Sequence, residues 1–88
     1  MTLKKIEELR LRIAGLRAKS QVPSWELQNL AEAIGRTKSK RGKHPMYEML
    51  GRPSLAIQNH SRPMPRYTKD SVLEILEGDL DAIEEVTS

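Results

Sequence analysis

The sequence predicts an α+β fold: a three-stranded antiparallel sheet covered on one face by helices, with an extra helix at the N-terminus. Three observations lead there. Apolar residues recur at helical spacing near both ends of the chain. Between them, short runs with strand-like alternation are separated by turn residues. With 88 residues, the chain has room for one small core, which two packed layers satisfy.

Taken in order, residues 2–19 place Leu3, Ile6, Leu9, Ile13 and Leu16 on one helical face. Ile6, Leu9, Ile13 and Leu16 also fit a two-heptad seam, so the stripe is read either as packing on the domain or as a homodimer contact through residues 2–19. Ser20 to Pro23 end that helix, and Ser24 is the expected N-cap of a second. Its stripe is Trp25, Leu27, Leu30, Ala31 and Ile34, with Trp25 assigned to core packing, and Gly35 closes it in the left-handed conformation. Arg36 to Lys40 form a short strand, Arg41-Gly42-Lys43 a turn, and His44 to Met49 a second strand. In that strand Tyr47 and Met49 share one face, His44, Met46 and Glu48 the other. Pro45 has no amide to donate, so the strand begins irregularly. Gly51-Arg52-Pro53 is a turn, and Ser54 to Gln58 a third strand with Leu55 and Ile57 on one face. His60 to Tyr67 read as a loop. Thr68 or Asp70 caps a third helix, Gly78 interrupts it, and Leu80, Ile83 and Val86 continue as a final short helix. Domain organisation follows as an N-terminal helical extension, 1–20, and an α-β-β-β-α domain, 21–88, with an acidic C-terminal helix or tail.

Composition narrows the function classes. There is no cysteine, hence no disulfide framework and no thiolate metal site, and two histidines are too few for a structural zinc cluster. No cofactor is expected. No apolar run reaches the ~18 residues of a membrane span, and residues 1–10 lack the apolar stretch of a secretory leader, so a cytoplasmic protein away from membranes is expected. The net charge of +3 conceals a sorted distribution. Residues 1–35 carry six Lys/Arg and four acids. Residues 36–69 carry nine Lys/Arg and one acid, Glu48. Residues 70–88 carry seven acids and no base. A block that basic points to a polyanion, and the acidic segment reads as a shield for it or as a second docking site.

The run from helix to sheet to helix, roughly residues 26–76, resembles the HicA-type mRNA interferase toxins, whose fold is similar to a double-stranded RNA-binding domain. The likeness is carried by Ala33-Ile34-Gly35, by Gly42-Lys43-His44 followed by Met46-Tyr47, by Leu55-Ala56-Ile57, by Gln58-Asn59-His60, and by Lys69-Asp70-Ser71-Val72-Leu73-Glu74-Ile75-Leu76. It implies a small ribonuclease that cleaves mRNA with one histidine, His44, and that a HicB-like antitoxin neutralises. The chain departs from the family pattern at Lys43, where a small Ser is usual, at Pro45, and in the helix over 2–19.

The chemistry suits those residues. RNA supplies its own nucleophile, the 2′-hydroxyl. A metal-independent RNase needs a base, an acid, and cations around the phosphorane; histidine serves the first two tasks and Lys/Arg the third. His44 is therefore the expected general acid/base, with His60 as the candidate second proton-transfer group. Lys38, Lys40, Arg41, Lys43, Arg52, Arg62 and Arg66 are the expected RNA-binding cations, and no metal site is expected. With Phe absent and only Trp25, Tyr47 and Tyr67 aromatic, recognition is expected to rest on backbone and shape. Two other readings stand beside the enzyme. One is a non-catalytic nucleic-acid-binding module of the same fold, with Lys43 and Pro45 marking lost catalysis. The other is a protein-interaction domain that dimerises through residues 2–19.

Overall fold

A computed structural model describes residues 1–39, 45–58 and 62–87. The element order is α1 (Leu3–Arg17), β1 (Gln21–Val22), α2 (Ser24–Ile34), β2 (Thr37–Ser39), β3 (Met46–Glu48), β4 (Leu55–Ala56), β5 (Met64–Pro65) and α3 (Arg66–Thr87). The fold is α+β, with β2-β3-β4 forming a three-stranded antiparallel sheet and an N-terminal helix present as expected.

α1 starts at Thr2, whose side chain accepts the Lys5 amide at 3.1 Å. Its stripe of Ile6, Leu9, Ile13 and Leu16 is buried in the same core as the other helices and packs along α3. The face that a dimer through residues 2–19 would use is thus taken up within the chain, and α1 is a wall of the core rather than an appendage to it. Its last turn is held from α3: the buried Lys69 ammonium donates to the carbonyls of Leu16 (3.1 Å), Arg17 (2.9 Å) and Lys19. A cation there satisfies carbonyls that have no helical partner and complements the helix dipole.

α2 buries Ser24, Leu27, Leu30, Ala31 and Ile34. Ser24 is its first helical residue, preceded by Pro23, and is not the N-cap; the cap residue offers no side-chain bond. Because the small Ser24 occupies the inward position, Trp25 is turned about 100° away and is 57% exposed, not packed in the core. Gly35 closes the helix at φ 121°, with its own amide bonded to Glu32 (3.1 Å) and the Arg36 amide to Ala31 (3.0 Å), a Schellman arrangement.

In the sheet, Lys38 pairs with Tyr47 and Tyr47 with Leu55, so these share the helix-covered face. Tyr47, Leu55 and Ile57 are buried there, as the alternation predicts. Ser39, Met46 and Ala56 share the other face with Thr37 and Glu48. A turn joins β3 to β4: the Arg52 amide bonds the Met49 carbonyl at 3.0 Å, with Gly51 at φ 79° in the position that needs a positive φ.

The C-terminal half differs from the sequence reading in three respects. Met64–Pro65 is not loop but a strand paired with β1, with Val22 opposite Met64 and both buried. α3 begins directly after it at Arg66, ahead of Thr68 and Asp70. It then runs unbroken through Gly78 for 22 residues. Gly78 leaves space rather than ending a helix: a Cβ there would lie 2.5 Å from the Arg52 guanidinium that crosses α3.

Candidate nucleic-acid interface at one end of the sheet

Both segments that carry a histidine leave the described structure at the same end of the sheet. The Ile57 amide donates to the Pro45 carbonyl at 3.3 Å. Pro45 follows His44 in the chain, and Gln58 precedes His60 by two residues. His44, His60, Lys40, Arg41 and Lys43 themselves lie outside the described residues. α2 enters at this end too, since the Gln28 side-chain amide donates to the Ile57 carbonyl at 3.0 Å. One turn earlier stands the exposed Trp25. The β1–β5 ribbon joins the starts of α2 and α3, and Tyr67, two residues beyond it, is 84% exposed.

The charge sorting along the chain is resolved by where each cation is spent. Of the six described Lys/Arg in 36–69, three are engaged internally, leaving three (6 − 3 = 3). Arg36 is buried and donates from Nε and Nη2 to both oxygens of the buried Asp79, at 2.6 and 2.9 Å. Its Nη1 donates to the carbonyls of Tyr47 (2.7 Å) and Pro53 (2.9 Å). Arg52, expected on the RNA surface, instead donates to Asp79 (2.8 Å) and to the Ile75 carbonyl (3.1 Å) at the opposite end of the sheet. Lys69 is the third. The other three, Lys38, Arg62 and Arg66, are exposed and have no acidic partner among the described residues.

The acidic segment is engaged elsewhere. Asp81 and Glu84 pair with Arg10, Glu77 with Arg17, Asp70 with Lys69, and Asp79 with the two arginines. Five of the seven acids in 70–88 are thereby held, and none is paired to Lys38, Arg62 or Arg66. Among the described residues the segment is a counter-charge for α1 and for the interior, and does not shield Lys38, Arg62 or Arg66.

No family model, no curated protein and no solved structure matches the chain.

Two features escape a first reading of the sequence. Trp25 at the surface is legible only once Ser24 is seen to fill the inward position. Asp79 and Lys69 do carry a signal. Asp79 lies three residues after Leu76 and one before Leu80, and Lys69 three before Val72, so both fall on the apolar face of α3. Charged residues at core spacing announce buried partners.

Proposed function

We propose that this chain is an RNA-binding domain that holds RNA at the Pro45–Gln58 end of its sheet, and that it cleaves mRNA there without a metal. His44 is the general acid/base and His60 the second proton-transfer group, as the likeness to HicA-type toxins implies. What supports the site is one conjunction. Lys38, Arg62 and Arg66, exposed and unpaired among the described residues, and the exposed Trp25 and Tyr67 belong to segments that meet where both histidine-bearing segments begin, while most acids of α3 are engaged elsewhere. Cations bind the phosphates and stabilise the phosphorane; an exposed indole or phenol stacks on an unpaired base. On this reading the inhibitor is a HicB-like antitoxin and the setting cytoplasmic. The second reading, binding without cleavage, keeps the same surface and is favoured by Lys43 and Pro45 beside the histidine.

Incubating labelled RNA in EDTA with the wild type and with His44→Ala separates these readings. Cleavage by the wild type alone establishes the enzyme. Retention of RNA on a filter without cleavage by either leaves the binding module, and absence of both binding and cleavage sinks the site. Trp25→Ala is expected to weaken RNA binding by about 1–3 kcal/mol, the worth of one stacked base, while moving stability by less than about 0.5 kcal/mol.

A further inference from the structure

Along the start of α3 runs a pocket of about 580 Å³, lined among the described residues by Arg66, Tyr67, Asp70, Ser71 and Glu74. We infer that this pocket selects guanine: one base of the bound RNA stacks on Tyr67 and sets its Watson–Crick edge against Glu74. The inference rests on the RNA reading above and adds the base that the surface reads.

Tyr67, Asp70, Ser71 and Glu74 recur at spacings of three and four, so they share one face of the helix. Glu74 lies two turns after Tyr67, about 10 Å along the axis, and helical side chains lean toward the N-terminus, which brings its carboxylate back toward the ring. The ring is exposed and offers a face for stacking. Beside it Arg66, exposed and without an acidic partner among the described residues, supplies a cation for the phosphate. The rest of the lining accepts hydrogen bonds. The Ser71 hydroxyl donates its proton to the Tyr67 carbonyl at 3.0 Å, which leaves its oxygen as an acceptor. Asp70 is paired with Lys69 at 3.0 Å, and its Oδ1 is buried with no hydrogen bond. Glu74 is exposed and holds no cation among the described residues, so its charge is the unbalanced one.

A carboxylate repels phosphates, so its use on an RNA surface is to read a base. Guanine alone among the four bases presents two adjacent donors, N1–H and N2–H, on its Watson–Crick edge, and the two oxygens of one carboxylate accept both. Adenine and cytosine set a bare ring nitrogen beside the amino group, and uracil flanks its single N–H with two carbonyls. Each of these turns a lone pair toward the carboxylate. A lining of one cation, one ring and several acceptors is thus matched by a guanine nucleotide, which carries a phosphate, an aromatic face and paired donors.

Filter retention of short uridine oligomers that carry one central guanine, adenine, cytosine or inosine tests this, with His44→Ala as the background so that every oligomer stays whole. The guanine oligomer is expected to bind about 10–100-fold tighter than those with adenine, cytosine or uridine alone. Inosine, which lacks the N2 amino group, falls between them. Glu74→Gln and Tyr67→Ala alter exposed side chains and leave the circular dichroism spectrum unchanged. Glu74→Gln lowers the guanine preference about tenfold or more. Tyr67→Ala weakens retention of the guanine oligomer about 10–100-fold. Glu85→Gln, at an exposed acid near the other end of α3, leaves the preference intact. Equal retention of all the oligomers overturns the inference and leaves the RNA reading standing. A guanine preference that survives Glu74→Gln, or one that Glu85→Gln abolishes, overturns it as well. Retention of none of them overturns both.

Discussion

Asp79 is the residue on which most of the interior charge depends. It lies on α3 and fixes Arg36, just past α2, and Arg52, in the β3–β4 turn, so three elements are tied through one carboxylate. Removing one member of a buried ion pair strands the rest without solvent. Asp79→Asn, which keeps the shape and removes the charge, is expected to cost about 3–5 kcal/mol in urea unfolding. Replacing Arg36 and Asp79 together with apolar residues of similar volume is expected to recover much of that loss. Tyr47 has the opposite chemistry, an ionisable group kept neutral. Burial, aided by the negative charge of Glu32, pushes its hydroxyl above the ordinary value of 10.0. Below pH 10 the phenol is protonated in both folded and unfolded chains, and stability is undiminished. As pH rises past 10 the unfolded chain ionises first, and stability falls until the folded group ionises too. The urea midpoint of the wild type therefore drops as pH rises past 10, and Tyr47→Phe lacks that part of the drop.

Among the elements, the long helices are legible in the sequence because four or more apolar residues at a 3.6-residue period carry a signal that chance rarely gives. Apart from Leu3 and Trp25, which are exposed, the stripes of α1 and α2 and the alternation around Tyr47 and Leu55 lie where that periodicity puts them. Strands of two residues have no period, so Gln21–Val22 and Met64–Pro65 escape notice until their pairing is seen. Gly78 is misread for another reason: a glycine that breaks a helix and one that yields room to a crossing side chain look alike in one dimension. The lock between α1 and α3 is testable at this scale. Lys69→Met removes the donor to three carbonyls at the end of α1 and is expected to cost about 1–3 kcal/mol. Amide hydrogen exchange in the last turn of α1 then accelerates more than in α2.

For the molecule as a whole, the order of charges along the chain is a poor guide to their order in space. Nine cations in one stretch read as one basic surface, with seven of them expected on RNA, yet three of the nine hold the fold together and three more lie outside the described residues. No count of charge shows this, because it depends on which acids the topology brings within reach. The consequence is a specific salt dependence. If Lys38, Arg62 and Arg66 each meet a phosphate, replacing all three by Gln lowers the log–log salt slope of single-stranded RNA binding by about 2 (roughly 0.7 per contact). Replacing Arg17, whose charge is paired with Glu77, leaves the slope unchanged. The position of Trp25 has an optical consequence as well. It is the chain's one tryptophan, and its indole already faces water in the native state. Its emission is therefore expected to shift little on denaturation, so that loss of structure must be followed through helical ellipticity instead. The same indole is free to report whatever comes to rest on it: a fluorophore nearly silent about unfolding would, on the proposed function, be quenched by a stacked base.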